Sequence, residues 1–270
     1  MSESMKSIIE ANKEILEEFE KWTLTQSHIP KNIKRIILFR YLKVCDFNLE
    51  ESKKLLDINI KFRVKHQYLF RNRDVDSEEF QRIIKAVHFT RLPKLSKEGY
   101  SIEIHQIVDP NASNFNLTHL FRACFMIHDM NDTIEHTENG VVAIFDAEKF
   151  TFQHLIKLLS HPSASMHFLQ YGQEATCMEI KQVHIINCSS VINRVVSFLK
   201  PFFTKELYEK LHLHTSGYET LHNFVDKDCL PIEFGGCEGS LNDYMEDTLK
   251  NLHIHRDFVS DDKNFFLLTD

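Results

Sequence analysis

The segment that follows Asn187 constrains the fold most, because its apolar residues cover far more of a helical circumference than a single stripe. A helix of this kind needs apolar neighbours on several sides, which either a packed core or the wall of a ligand cavity can supply. Pro201 removes a backbone hydrogen bond and crowds the preceding turn, so we expect the segment to kink or split there. Such a joint in an apolar wall suits a lid. The apolar residues are Val191, Ile192, Val195, Val196, Phe198, Leu199, Phe202, Phe203, Leu207 and Leu211.

The spacing of hydrophobic residues changes at about residue 86. Before it, residues 7–24, 33–44 and 48–66 place apolar side chains three and four positions apart, which predicts amphipathic helices. After it, predicted strands alternate with helices of ten or more residues, and such crossovers connect parallel strands. The sequence therefore predicts a helical N-terminal part followed by an α/β part. The strands are predicted at 86–92, 100–108, 141–145, 181–187 and 210–214, and the intervening helices at 117–130, 151–159 and 163–171.

Composition argues against several classes of protein. The seven glycines form neither of the common phosphate-binding loops, and the motifs Gly-x-Ser-x-Gly and His-Glu-x-x-His are missing from the sequence. A net charge of −7 argues against nucleic-acid binding. The six cysteines form no Cys-x-x-Cys pair, and the first residues contain no apolar signal-peptide core. We therefore expect a cytoplasmic protein with no cofactor, no nucleic-acid partner and no enzymatic activity.

Two alternative functions, metal binding and carboxylate-based hydrolysis, have weaker support in the sequence. The 16 histidines include the pairs His212/His214 and His253/His255, and in a strand such a pair points one way and could hold a metal ion. No cysteine or acidic ligand is spaced around either pair, so we expect no metal site. Asp146 and Glu148 could serve a carboxylate-based hydrolase. We favour a structural role for Asp146, because it ends an apolar strand.

The order of motifs along the chain resembles the CRAL-TRIO lipid-binding family. In that family a basic residue and a strand lead to Ile-Asn, an apolar helix, Lys-Pro-Phe and His-x-His. Residues 39–56, 144–154 and 230–236 resemble three further family blocks, so the resemblance covers about residues 33–236. Within the family, the motifs are most similar to the tocopherol and retinaldehyde transfer proteins. The central motif is supplied here by Lys181, Ile186-Asn187, Lys200-Pro201-Phe202 and His212-Leu213-His214.

The resemblance implies a fold and a function. It implies a helical bundle over 1–76, a CRAL-TRIO domain over 77–240 with a mixed, mostly parallel sheet, and a C-terminal tail over 241–270. A gate helix would cover an apolar cavity on the sheet. The protein would be an intracellular, monomeric carrier of a retinoid, tocopherol-like or related lipid that touches membranes transiently. The alternatives are phospholipid or phosphoinositide exchange, or a membrane or protein scaffold with a filled core.

Helical spacing and the resemblance together predict the cavity lining. On the 117–130 helix the predicted residues recur at intervals of three and four, so they share one face. His128 and Tyr171 are the predicted polar contacts to a ligand hydroxyl or aldehyde, although hydrogen bonds within the protein would explain either residue equally well. The predicted lining is Phe121, Cys124, Phe125, His128, Phe145, Phe150, Phe152, Phe168, Tyr171, Met178, Ile192, Val195, Val196, Leu199 and Phe203.

Basic residues beside the gate are associated with phosphoinositide headgroups in the tocopherol and retinaldehyde branch. The motifs place that cluster at Glu179, Lys181, Glu206 and Lys210 here. Two of the four positions are acidic, and a carboxylate near a phosphate repels it. We therefore expect Lys181 and Lys210 to give only weak headgroup binding.

Overall fold

Helices form the first third of the computed structural model, which describes residues 3–134 and 138–266. Two of these helices begin at capping side chains, because Asn48 accepts a hydrogen bond from the Glu51 N–H and Ser77 accepts one from the Phe80 N–H, both at 3.2 Å. The helix predicted over 7–24 is instead two helices that meet at Asn12. The helices are α1 (Glu3–Ala11), α2 (Lys13–Thr25), α3 (Arg35–Val44), α4 (Leu49–Lys65), α5 (Gln67–Phe70) and α6 (Glu78–Ala86).

A five-stranded sheet follows, in the order β1-β2-β3-β4-β5. β1 is antiparallel to β2 and the other neighbours are parallel, which confirms the mixed, mostly parallel α/β class. The strands are β1 (Val87–Arg91), β2 (Ser101–Ile107), β3 (Val141–Asp146), β4 (Ile180–Ile186) and β5 (Leu211–Leu213). The helices between them are α7 (Leu117–Thr133), α8 (Phe152–Ser160), α9 (Pro162–Glu174), α10 (Ser190–Leu199) and α11 (Lys205–Glu209).

The two faces of the sheet carry different neighbours, because successive side chains of a strand point to opposite sides. One face packs against the segment 221–241 to form a small apolar core. The opposite face looks toward α7, α9 and α10 and is the floor of a cavity. The small core includes Ile102, Ile104, Val142, Ile144, Ile186, Leu221, Leu230 and Phe234.

The segment that was predicted as a C-terminal tail is folded. It contains α12 (Leu241–Ile254) and α13 (Arg256–Ser260), and α12 lies against β1 and α7. Met245 and Leu252 are buried in the main apolar core, and the Thr248 hydroxyl is 2.9 Å from that of Thr90 on β1. The apolar spacing of α12 is what the tail assignment overlooked. Among the described residues, no helix has both the length and the apolar character needed to cross a bilayer.

Candidate ligand-binding site

A cavity of about 310 Å³ lies between the inner face of the sheet and the helices α7, α9 and α10. This volume falls within the range of small-molecule sites, at its lower end. Strands β1 to β4 supply the floor through alternate residues, and α7 and α9 supply aromatic walls. The rings of Phe121 and Phe168 stack across the walls with centroids 4.3 Å apart. The floor includes Glu103, His105, Ala143, Phe145, Val183 and Ile185.

The segment after Asn187 covers the cavity. α10 ends at Leu199, a single 3₁₀ turn contains Pro201, and α11 begins at Lys205, so the segment splits where proline was expected to break it. The cover therefore consists of two helices joined by a short turn. Its lining residues are Ile192, Val195, Leu199, Phe203 and Leu207.

Twelve of the fifteen predicted residues lie in the cavity lining. They are Phe121, Phe125, His128, Phe145, Phe150, Phe168, Tyr171, Met178, Ile192, Val195, Leu199 and Phe203.

The other three predicted residues lie outside the cavity lining. Cys124 is fully buried one helical turn before His128, and its sulfur lies behind that imidazole at 3.5 Å. Phe152 is 52% exposed because α8 begins at this residue and turns it outward. Val196 lies farther around α10 and packs against Ala147 in a separate apolar cluster. Spacing along a helix gave the general direction of these side chains but not the edge of the cavity.

The largest omission from the prediction is the floor contributed by β1 and β2. Alternation along 100–108 indicated a strand, and the same alternation places Glu103, His105 and Ile107 on one face. Glu103 was the sequence feature that indicated a polar contact on this face, because a carboxylate in an apolar strand needs a partner. The omitted residues include Val87, Phe89, Glu103, His105, Gln106, Ile107 and Phe115.

Glu103 is held by an arginine on the neighbouring strand. Arg91 is its cross-strand partner, and its Nη2 and Nε donate to Glu103 Oε1 at 2.8 and 3.2 Å. The other oxygen of Glu103 lies 3.5 Å from His128 Nε2. Potential ligand atoms of Glu103, His105 and His128 all lie within 4.8 Å of one another, so these three side chains form the polar end of the cavity.

The charge states at this polar end follow from burial and neighbours. Burial alone would raise the pKa of Glu103, but His128 and Arg91 outweigh it and lower that pKa to about 2. Burial likewise opposes protonation of His128, yet Cys124 and Glu103 raise its pKa above the ordinary value. Burial lowers the pKa of His105 to about 4. At neutral pH the polar end holds the Glu103 carboxylate and the neutral imidazole of His105, with His128 between Glu103 and Cys124.

Tyr171, the second predicted polar contact, is engaged within the protein. Its hydroxyl accepts hydrogen bonds from Asn59 Nδ2 at 3.0 Å and from the guanidinium of Arg63. Arg63 also pairs with Asp129 through two hydrogen bonds, and Arg73 donates to the same carboxylate at 2.6 Å. The ring of Tyr171 lines the cavity while its hydroxyl points into this buried network.

The structure also places the residues considered for hydrolysis and for metal binding, which are Asp146 and the two histidine pairs. Asp146 accepts from Gln106 Nε2 and Asn187 Nδ2, each at 2.8 Å, and from the Glu148 N–H at 3.0 Å. His214 Nε2 lies 3.0 Å from Nδ1 of the buried His184. His253 lies on α12, a helix, where residues two apart point in different directions. Asp146 therefore connects the ends of β2, β3 and β4 through hydrogen bonds, which is a structural role.

Comparison with known proteins identifies the family. A family model described as "CRAL/TRIO domain" matches residues 85–236, which is more than half of the chain. The chain belongs to the CRAL-TRIO family. Residues 8–80 match a second model, described as "Pinta-like, UBA domain". The CRAL-TRIO match covers the sheet, the cavity walls and the cover.

Several curated proteins are similar to this CRAL-TRIO chain. Clavesin-1 of Xenopus laevis is 25% identical over 74% of the chain and 60% of its own length. Clavesin-2 of Homo sapiens is 24% identical, with 74% and 61% covered. "Alpha-tocopherol transfer protein-like" of Homo sapiens is 23% identical, with 76% and 59% covered. The match therefore spans about 60% of the length of these relatives.

A solved structure has the same fold. The chain is similar to the protein in "Crystal structure of Sfh5", with a TM-score of 0.57, 13% identity, and 95% and 96% of the two chains covered. At this identity the likeness shows the CRAL-TRIO fold alone.

The lysines beside the CRAL-TRIO gate are neutralised by glutamates. Lys181 Nζ is 2.5 Å from Glu179 Oε1, and Lys210 Nζ is 2.6 Å from Glu206 Oε1. Ile180 and Leu211, their chain neighbours, line the cavity, so both pairs lie near it. Each lysine is already paired with a neighbouring carboxylate, which weakens its attraction for a phosphate group.

Replacing both Glu179 and Glu206 by lysine should create the headgroup site that these pairs disfavour. We expect binding to phosphoinositide vesicles to rise at least about tenfold over that of the unmodified protein, because each added lysine near an anionic surface contributes roughly 1 kcal/mol. Vesicle sedimentation measures the ratio. Lysine at the exposed residues Glu14 and Glu18 of α2 is the matched control for net charge. A strong phosphoinositide preference in the unmodified protein would contradict the argument.

Proposed function

We propose that this protein is a carrier that encloses one hydrophobic small molecule in the cavity and moves it between membranes without changing it chemically. The observation that supports this most is the apolar cavity under a cover that is divided at Pro201. A lipophile there gains about 25 cal/mol for each Å² of apolar surface removed from water. Membership of a lipid-binding family favours the same conclusion.

The size of the cavity supports a compact ligand. About 310 Å³ suits a molecule with one chain or a fused ring, such as a retinoid or a tocopherol-like compound, better than a lipid with two long chains. The name of one relative, alpha-tocopherol transfer protein-like, is consistent with this class. Phospholipid exchange is the second candidate, and the paired lysines at the gate argue against its phosphoinositide form.

We further propose that the carrier is a cytoplasmic monomer that touches membranes transiently. Phe152, Ile156 and Leu159 lie on one side of α8, and each is at least 44% exposed. α8 contacts the cover helix α10. An exposed apolar row beside the cover suits brief contact with a bilayer surface.

A transfer experiment tests the carrier proposal. Purified protein should accelerate the movement of fluorescent retinol or tocopherol from donor to acceptor vesicles, in proportion to protein concentration. Organic extraction followed by mass spectrometry should recover one lipophile per chain from protein expressed in eukaryotic cells. If a broad lipid panel gives neither transfer nor bound lipid, the proposal is wrong.

A further inference from the structure

The cover of the cavity has few polar contacts with the rest of the protein. Its two helices and the turn between them span residues 190–209. Among residues 3–134 and 138–266, the only side chain outside the segment 189–210 that makes hydrogen bonds with the cover is Gln173 of α9. Within the same ranges, no ion pair joins the cover to a residue outside that segment. Apart from Gln173, the cover is therefore held in place by apolar packing.

Gln173 satisfies two backbone groups at the joint that Pro201 creates in the cover. The 3₁₀ turn ends at Phe202 and α11 begins at Lys205, with Thr204 as its N-cap. Backbone groups at the end of a helix lack partners within that helix and must find them elsewhere. Gln173 Nε2 donates to the Phe202 carbonyl at 3.0 Å, and Gln173 Oε1 accepts from the Thr204 N–H at 2.7 Å. One side-chain amide therefore binds both sides of the joint.

The amide of Gln173 is fixed in orientation. Its nitrogen also donates to the carbonyl of Leu169, one turn earlier in α9, at 3.1 Å. The Thr204 N–H can only donate, so the amide oxygen faces it and the nitrogen faces the two carbonyls. Three hydrogen bonds therefore hold this side chain against the joint.

The helix that carries Gln173 is itself anchored to α4. Asn59 Nδ2 donates to the Tyr171 hydroxyl at 3.0 Å and to the Ala175 carbonyl at 2.6 Å, so α9 is bound two residues before and two residues after Gln173. Asn59, Tyr171 and Ala175 are all buried. The joint of the cover is thus connected through α9 to the N-terminal helices.

We propose that Gln173 is a latch, a positioning residue that keeps the cover closed and sets how fast the ligand leaves the cavity. The inference rests on the proposed carrier function, because a ligand enclosed under the cover leaves when the cover moves. Loss of the amide frees the joint from α9 and leaves the Phe202 carbonyl and the Thr204 N–H without their partner. The apolar contacts of α10 with the cavity remain. Entry and release both become faster, so the rates change more than the affinity does.

Hydrogen exchange of the full chain without ligand tests the latch directly. Gln173→Met keeps the length of the side chain and removes its amide. We expect backbone amides of residues 202–207 to exchange at least about tenfold faster in this variant, because two hydrogen bonds to the joint are lost. Exchange in β3, measured in the same mass-spectrometry experiment, should stay unchanged. Faster exchange in β3 as well would assign Gln173 to the stability of the whole fold and overturn the inference.

Release of fluorescent retinol to an excess of acceptor vesicles measures the effect on the ligand. We expect Gln173→Met to release retinol at least about tenfold faster than the unmodified protein. Gln170→Met is the matched control, because the Gln170 amide bonds Glu174 of the same helix at 2.9 Å, and it should change neither release nor exchange. Unchanged exchange and release in Gln173→Met would overturn the inference and leave the carrier proposal standing. Absence of retinol binding to the unmodified protein would count against the carrier proposal, and hydrogen exchange would still decide on the latch.

Substitution of Thr204 tests the same contact from the other side. Thr204 has a φ of −65°, the value that proline adopts, so Thr204→Pro removes the N–H that donates to Gln173 and fits the backbone. Thr204→Ala keeps the N–H and removes the hydroxyl that caps Leu207, which makes it the matched control. We expect faster retinol release from Thr204→Pro than from Thr204→Ala, and a smaller effect of Gln173→Met when Thr204→Pro is already present. Fully additive effects in the double variant would overturn the inference.

Discussion

Replacement of Val195 by aspartate is expected to weaken binding of a lipophilic ligand at least about a hundredfold. Val195 is 8% exposed and lies on the cavity side of α10. An unpaired carboxylate in an apolar cavity costs several kcal/mol or must take up a proton, and either effect opposes an apolar ligand. Titration of the purified variant with fluorescent retinol or tocopherol measures the loss.

Two further substitutions in α10 serve as controls for this result. Asn193→Asp places the same carboxylate on the exposed side of the helix and should leave affinity within about twofold. Val196→Asp should destabilise the cover and reduce affinity less than Val195→Asp, because Val196 packs against Ala147 outside the lining. Unchanged affinity in a folded Val195→Asp variant would mean that α10 does not line the ligand site.

Replacement of Asp129 by asparagine is expected to lower the free energy of unfolding by about 3 to 5 kcal/mol, the range for removing one partner of a buried ion pair. Asp129 binds both Arg63 and Arg73, and all three side chains are at most 7% exposed. Burial alone would raise the pKa of Asp129, but the two guanidinium groups outweigh it and lower that pKa. The stability from this carboxylate is thus present at neutral pH and falls as acid protonates it.

Urea unfolding monitored by circular dichroism measures the effect of Asp129→Asn. Asp57→Asn is the matched control, because Asp57 also has two partners, His28 and Lys61, but is 26% exposed. We expect that change to cost no more than about 1 kcal/mol. Similar losses in the two variants would show that the buried network does not stabilise the fold as argued.

The fold could be predicted from the sequence because its signals are local. Alternation along 100–108 marks β2, and Pro201 marks the break in the cover. The polar end could not be predicted in the same way, because it depends on strand pairing. Arg91 meets Glu103 only through the antiparallel register of β1 and β2, and His128 reaches them from α7. Periodicity gives the direction of a side chain and does not give its partner on another element.

Some predicted ligand residues line the cavity and others do not, for a related reason. Phe121, Phe125 and Phe168 are large apolar side chains on helices that face the sheet, so spacing together with the family resemblance directed them inward. Phe152 is equally apolar, but it is the first residue of α8 and turns outward. The sequence could not show whether the Tyr171 hydroxyl faces the ligand or the protein, because its ring lines the cavity while its hydroxyl lies in the buried polar network.

The buried ion pairs also limit how the two family regions can be exchanged between relatives. Arg40 and Arg63 lie within the region matched over 8–80, whereas Glu138 and Asp129 lie within the region matched over 85–236. A chimaera joined between these regions takes the arginine of each pair from one parent and the carboxylate position from the other. Each pair is then broken unless the second parent carries a matching charge. Recombination at the apparent domain boundary is therefore tolerated only when guanidinium and carboxylate are inherited together.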